Sequence, residues 1–338
     1  MVVDRKNILT IVLSLAALTT LLFFLQNGAT YTTDDPQYNR AYWTERLSTH
    51  DPTTVYEEFK SKNARAPFDL QHLAAHVMGE VFFEQLGFQG VSVCDPTFGF
   101  GCFHGFFTRA VSENGLSSVR DLDQGCLEKY GSLGTGCQHG IGHGIMEYLG
   151  YAHVEVALEA CDTTTQVVPL LGCTSGVFME YRKPLVISSD TARVDPRPFD
   201  EAHPYMPCLS VSDRFKSSCY FELGDWWRST TGSHYRKMGE LCAAVTPAAY
   251  AKDCFLGLGA IAAPTEEFDV AKTLMRCEEA GYDALSTRQC RSGAAWSFYA
   301  NPEYRNEYRT LCDGLPAGEI SACLKDSDLT EGREQRTL

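Results

Sequence analysis

The sequence has no cysteine before residue 94, no Cys-x-x-Cys pair, no methionine-rich cluster and no stretch of clustered lysine and arginine. Each absence excludes something. With 29 basic against 43 acidic residues and a formal charge of −14, the chain offers no basic stripe for a phosphate backbone, so no nucleic acid is expected as a partner. The missing Cys-x-x-Cys spacing removes the usual thiolate zinc sites. The missing methionine clusters count against copper transport through thioethers. Gly-x-Ser-x-Gly, a Walker-type loop, a dinucleotide-binding fingerprint and His-Glu-x-x-His are all absent as well, so no familiar catalytic motif announces a reaction.

What is present begins with a targeting segment. Asp4, Arg5 and Lys6 precede an uncharged run from Ile8 to Leu25, long enough for a transmembrane helix and long for the apolar part of a cleavable signal. No good small-x-small cleavage site follows. Residues 1–28 therefore read as a signal anchor with a cytoplasmic N-terminus, placing the rest of the chain outside the membrane in the periplasm or at the cell surface. Secretion after cleavage near Ala29 is the alternative. Residues 29–66 read as a linker and N-terminal cap helices, 67–325 as the main domain, and 326–338 as a disordered tail.

All 14 cysteines lie beyond residue 90, and their number is even. That distribution fits disulfides in an oxidising compartment. Taken as sequence neighbours they pair as Cys94 with Cys102, Cys126 with Cys137, Cys161 with Cys173, Cys208 with Cys219, Cys242 with Cys254, Cys277 with Cys290 and Cys312 with Cys323. Successive pairs recur at a period of about 35 residues. One interval is longer, and its excess falls in residues 182–205, where Pro184, Pro196, Pro198 and Pro204 mark an inserted surface loop. A helical pattern at this period means one α-hairpin per repeat. The expected fold is all-α: an α-solenoid of about seven to eight hairpins, each stapled across its turn by a disulfide, preceded by the N-terminal transmembrane helix.

With one cysteine pair per helical-hairpin unit, residues 90 to 325 resemble the disulfide-bridged Sel1-like repeat proteins, which implies a stacked α-hairpin architecture. The "HG" and "HGIGHG" motifs that follow Cys102 and Cys137 resemble those of an uncharacterised family of membrane-anchored bacterial proteins, which implies no activity.

Five of the nine histidines fall between residues 72 and 143. His104 and His139 each stand two places after the second cysteine of a repeat. His72 and His76, like His139 and His143, are four apart and so share a helix face. Glu80 and Glu147 follow each pair by another four. Two repeat lengths separate His72 from His143, which predicts that the two pairs occupy matching levels of one wall. Five imidazoles in such a group suit zinc, iron or copper. His72, His76, His104, His139 and His143 are thus the candidate metal ligands, and Glu80 and Glu147 the candidate catalytic ligands or general bases. Glu180 is a candidate outer partner.

Gly79, Gly105, Gly140, Gly142 and Gly144 beside these histidines let helices approach or keep a pocket open. His50, His153, His203 and His234 read as ordinary core histidines, and Trp226, Trp227 and the phenylalanines as packing between repeats. Tyr299, Tyr304 and Tyr308 read as a groove wall or an amphipathic cap.

The function expected from this pattern is that of an extracytoplasmic, membrane-anchored metal-dependent enzyme, redox slightly favoured over hydrolytic. The alternatives are a solenoid scaffold for a peptide, glycan or envelope partner, and a protein that captures metal without turnover.

Overall fold

Local signals start and stop the helices where the sequence carries them. Asp51 caps the helix Pro52–Asn63 by accepting from the amides of Thr53 and Thr54, and Asp283 with Ser286 forms a capping box at Ala284. Gly115 and Gly131, both at positive φ, end the two helices before them. The computed structural model describes residues 31–32, 38–131, 135–165, 170–187 and 191–327. The expected signal anchor and the tail beyond residue 327 lie outside the described residues. Among the described residues no helix is long and apolar enough to cross a membrane.

The helices run in order α1 (Arg40–Thr49), α2 (Pro52–Asn63), α3 (Phe68–Leu86), α4 (Gly101–Asn114), α5 (Val119–Tyr130), α6 (Thr135–Leu149), α7 (Val154–Ala160), α8 (Cys173–Arg182), α9 (Asp213–Phe221), α10 (Leu223–Thr231), α11 (Tyr235–Ala243), α12 (Ala248–Thr265), α13 (Val270–Ala280), α14 (Ala284–Ala300) and α15 (Ala317–Ser327). All seven disulfides join the neighbours expected from the repeat, and no cysteine is free. The fold is a disulfide-stapled helical repeat, and the seven closed pairs fit an oxidising, extracytoplasmic compartment.

The hairpins are less uniform than the period suggests. Cys126–Cys137, Cys242–Cys254 and Cys277–Cys290 staple two α-helices directly, whereas Cys94 and Cys312 each follow a 3-10 turn. Cys208 lies in an irregular arm rich in proline, which cannot donate to a helical ladder. Between α8 and α9 the chain forms the only strands among the described residues besides Tyr31–Thr32. Labelling these β1 (Tyr31–Thr32), β2 (Leu185–Ile187) and β3 (Thr191–Val194), the antiparallel order is β1-β3-β2.

One helix from each repeat packs against the corresponding helix of the next, in the succession α3, α4, α6, α8, α9, α12, α14. Here glycine is used for close approach. A Cβ on Gly105 would stand 1.8 Å from the His76 carbonyl oxygen, one on Gly176 1.9 Å from that of His139, and one on Gly257 1.9 Å from that of Phe221. Gly79 and Gly142 face the carbonyls of Cys102 and Cys173 in the same way, at 2.0 Å each. The helix backbones touch, and nothing larger than hydrogen fits between them.

These contacts correct the register expected between repeats. His76, not His72, lies at the level of His104 and His139, because the carbonyl of His76 meets Gly105 as that of His139 meets Gly176. Ala74 therefore stands where later repeats have a cysteine. Helix α3 has no disulfide, and its link to α4 is shorter than one repeat, so counting two repeats back from His143 reaches His72 and overshoots the true counterpart, Glu80, by about two helical turns.

The wall of inner helices curls until its first member meets its later ones. Phe68 on α3 packs edge-on against Phe268, just before α13, with ring centroids 6.3 Å apart. Arg228 on α10 reaches Asp69 on α3 at 3.2 Å. The inner helices surround a central cavity of about 190 Å³.

Candidate metal centre

The five histidines come together. His72 and His76 on α3, His104 on α4, and His139 and His143 on α6 form two overlapping sets, His72/His76/His104 and His104/His139/His143, in each of which the ligand nitrogens lie within 4.8 Å of one another. Either set could hold a metal ion. His76, His104, His139 and His143 are buried, and His72 is partly so. Three of the rings, His72, His104 and His139, line the central cavity.

The outward nitrogens are tethered. His72 Nδ1 donates to the Phe98 carbonyl at 2.8 Å; a carbonyl only accepts, so the proton is on Nδ1 and the Nε2 lone pair faces inward. That carbonyl is presented by a turn in which Phe98, Gly99 and Phe100 all have positive φ (57°, 62° and 67°), a local strain of the kind that gathers at functional sites.

His143 Nδ1 donates to Glu180 Oε2 at 2.9 Å. Oε1 of the same carboxylate accepts from the Tyr151 hydroxyl at 2.7 Å and the Leu185 amide at 3.1 Å, which favours its ionised form. His139 Nδ1 donates to Ser175 Oγ at 3.0 Å, and Ser175 passes its own proton toward Glu222.

With both Nδ1 atoms so engaged, the Nε2 atoms of His139 and His143 face each other 3.1 Å apart. Two lone pairs at that distance repel unless a cation lies between them. Nitrogens bound side by side to one ion at about 2.0–2.1 Å stand roughly 3 Å apart. The Nε2 atoms of His72 and His76 are likewise 3.1 Å apart. His76 Nδ1 and both nitrogens of His104 are buried with no hydrogen-bond partner, an arrangement costing about 1–3 kcal/mol per group unless something binds there.

Burial and, for most of the rings, neighbouring imidazoles keep the cluster neutral, the form that ligates metal. Desolvation, then the charge that His72 would carry, push His143 down to about 3, and His76, His104 and His139 are also held well below the ordinary histidine value. Burial lifts Glu180 and Glu222 to about 7 each.

Glu80 and Glu147 are placed differently from the imidazoles. Glu80, a turn beyond His76, is ion-paired with Arg40 at 2.5 Å. Glu147, a turn beyond His143, has its side chain at the surface; enclosure on its inner side and then the Glu180 and Glu80 carboxylates push it up to about 8. Neither is among the groups whose ligand atoms converge, and neither lines the cavity.

The carboxylates that support the rings are Glu180, directly, and Glu222, through Ser175. Ser175 occupies the place after the second cysteine that His104 and His139 hold in their repeats, and Glu222 stands where Gly105, Gly140, Gly176, Gly257 and Gly293 stand in theirs, at the bend between α9 and α10. Those two departures from the repeat were the available signal for this outer layer.

His50, His153, His203 and His234 are at the surface, not in the core as their sequence context suggested. His203, for one, pairs with Asp200 at 2.7 Å there. The aromatic residues behave as packing: Phe82, Phe103, Phe106, Phe107, Trp226 and Trp227 are all buried. Tyr304 stacks on Phe268 with centroids 4.5 Å apart, while Tyr299 is partly exposed.

Comparison of the chain with protein-family models, with curated proteins and with solved structures gives no match. The architecture is that of a disulfide-stapled helical repeat.

Proposed function

We propose that the five histidines hold transition metal, zinc, iron or copper, and that the protein is an extracytoplasmic metal-dependent enzyme acting on a small molecule in the central cavity. The observation that carries this reading is the facing pair of Nε2 atoms, 3.1 Å apart, on His139 and His143, whose Nδ1 atoms are already committed to Ser175 and Glu180. Outer partners of this kind set the tautomer and orientation of metal-binding histidines.

The cavity supports a small, largely uncharged reactant. Phe68, Phe221, Phe268 and Trp296 contribute aromatic surface to it, and its cations are neutralised in place: Lys183 pairs with Asp225 at 2.5 Å, and Arg228 with Asp225 and Asp69 at 3.2 Å. A volume of about 190 Å³ suits such a molecule better than the peptide or glycan of a scaffold role. Redox chemistry is favoured over hydrolysis, because hydrolytic zinc sites generally use three protein ligands and an open position. Glu80 and Glu147 are then proton carriers at the outer edge of the cluster. The uncharged run Ile8–Leu25 would anchor the domain, and fractionation with external protease tests that part separately.

Metal analysis of protein purified without a histidine tag is the deciding experiment. A stoichiometric transition metal is expected. A metal-free protein that resists loading with zinc, iron and copper would make the imidazoles a hydrogen-bonded core, leaving the scaffold for a peptide, glycan or envelope partner as the better reading.

A further inference from the structure

His104 differs from the other four histidines in belonging to both converging sets. It stands on α4, the middle of three helices packed side by side. Its ring centroid lies 5.0 and 5.1 Å from those of His72 and His76 on α3, and 4.8 and 4.5 Å from those of His139 and His143 on α6.

The outward nitrogens of His72, His139 and His143 are occupied by the Phe98 carbonyl, Ser175 and Glu180, so each of these rings has one nitrogen left for an ion. His104 has two. Both are buried, and neither has a hydrogen-bond partner. The two nitrogens of an imidazole point in diverging directions, so a ring with both unengaged, between two pairs of ligands, is placed to serve both. His76 also has an unpartnered Nδ1, but it belongs to one set only.

We propose that His104 bridges two metal ions as an imidazolate, one ion completed by His72 and His76 and the other by His139 and His143, making the cluster a dinuclear centre instead of a single five-histidine site. This rests on the metal reading given above. The proton balance follows from the tautomers. Neutral His104 carries one N–H; bridging uses a lone pair on each nitrogen, so that N–H bond breaks, its proton passes to bulk water, and two metal–nitrogen bonds form without electron transfer. His72, His139 and His143 keep their Nδ1 protons and release none. Each ion would have three imidazoles, and the cavity face formed by His72, His104 and His139 would leave both ions approachable by one small reactant.

Copper(II) alone is a suitable probe, because two Cu(II) ions joined by an imidazolate couple antiferromagnetically. The full-length protein, untagged, with its disulfides intact, is stripped of metal and titrated with Cu(II), and bound copper and the low-temperature spin-resonance intensity are measured together. The expected result is two coppers per chain with an intensity well below two spins. One copper per chain with a full one-spin signal would overturn the bridge while leaving the metal reading intact, as would two coppers with a full two-spin signal. No bound copper would defeat both.

In His104→Gln, coupling should vanish, with each remaining copper contributing one full spin. Because that substitution lies in a tightly packed position, the double variant His72→Asn/His76→Asn serves as the second arm. It should hold one copper with a full one-spin signal. A coupled pair surviving in either variant would show that His104 is not the bridge.

Discussion

His139 and His143 bring their Nε2 atoms to 3.1 Å of each other while their Nδ1 atoms turn outward to Ser175 and Glu180. Replacing both rings by alanine should remove the ion they hold and leave only the one served by His72, His76 and His104, halving the metal content, with helicity retained because seven disulfides still staple the hairpins. His153, at the surface, is the control position. Equal metal content in wild type and the double variant, or loss of helicity without any change in metal, would show that these rings pack and do not ligate.

The outer carboxylate has its own signature. Glu180→Gln keeps the size of the side chain but weakens the acceptor that orients His143, so metal affinity should fall by about 10- to 100-fold with little change in melting temperature of the metal-free protein. Competition with a chelator of known affinity measures it. An unchanged affinity would remove Glu180 from the site.

Close approach of the helices predicts opposite effects for two glycine substitutions. Gly105→Ala places a methyl 1.8 Å from the His76 carbonyl oxygen, and since the obstacle is backbone, the helices must part. Destabilisation of about 1–3 kcal/mol or more is expected, with metal binding weakened in parallel. Gly125→Ala, inside α5 with nothing within 4 Å, should stabilise by about 0.5–1 kcal/mol. Chemical denaturation of both variants is the check, and equal effects would contradict the packing.

Acid should destabilise the metal-free protein through its buried histidines. His143 is held at about 3 in the fold against 6.5 ordinarily, so the unfolded chain binds the extra proton between those values and stability is lost as pH falls through that window. Glu180 and Glu222, raised to about 7, act in the opposite sense, their contribution weakening as pH rises above about 4.5. The histidine effect is therefore cleanest between pH 4.5 and 3, where a single such group is worth about 2 kcal/mol. His143→Asn should flatten the stability profile there by about that amount; an unchanged slope would mean the ring is not buried neutral.

Each staple closes a short loop of the unfolded chain. Cys126→Ser/Cys137→Ser, which opens the disulfide between α5 and α6 at a separation of 11 residues, should cost about 2–4 kcal/mol and loosen the start of the helix carrying His139 and His143. Thermal unfolding with metal titration measures both effects. Non-reducing mass spectrometry of the wild type should find all seven neighbour pairs closed.

The repeat and its disulfides were legible because helical hairpins with one cysteine pair each repeat in linear order, and neighbouring cysteines across a turn have no nearer partners. The five histidines could be gathered by the same arithmetic. Their register could not, because α3 lacks a cysteine and its link to α4 is shorter than a repeat, so His76 and not His72 came level with His104. Ser175 and Glu222 went unread for a related reason: each is ordinary alone and informative only as a departure from a column of histidines or glycines.

Local chemistry along the chain determined the all-α class, the period, the staples and the identity of the imidazoles, since capping, helical spacing and short-loop disulfides act within one or two repeats. The tertiary structure decided how far the wall curls. That curvature is the sum of small rotations between helices whose backbones touch at Gly79, Gly105, Gly142, Gly176 and Gly257, and no single repeat contains it. It brings Phe68 to Phe268 and Asp69 to Arg228 across most of the chain, encloses the cavity, and sets His104 between two pairs of histidines with both of its nitrogens unengaged.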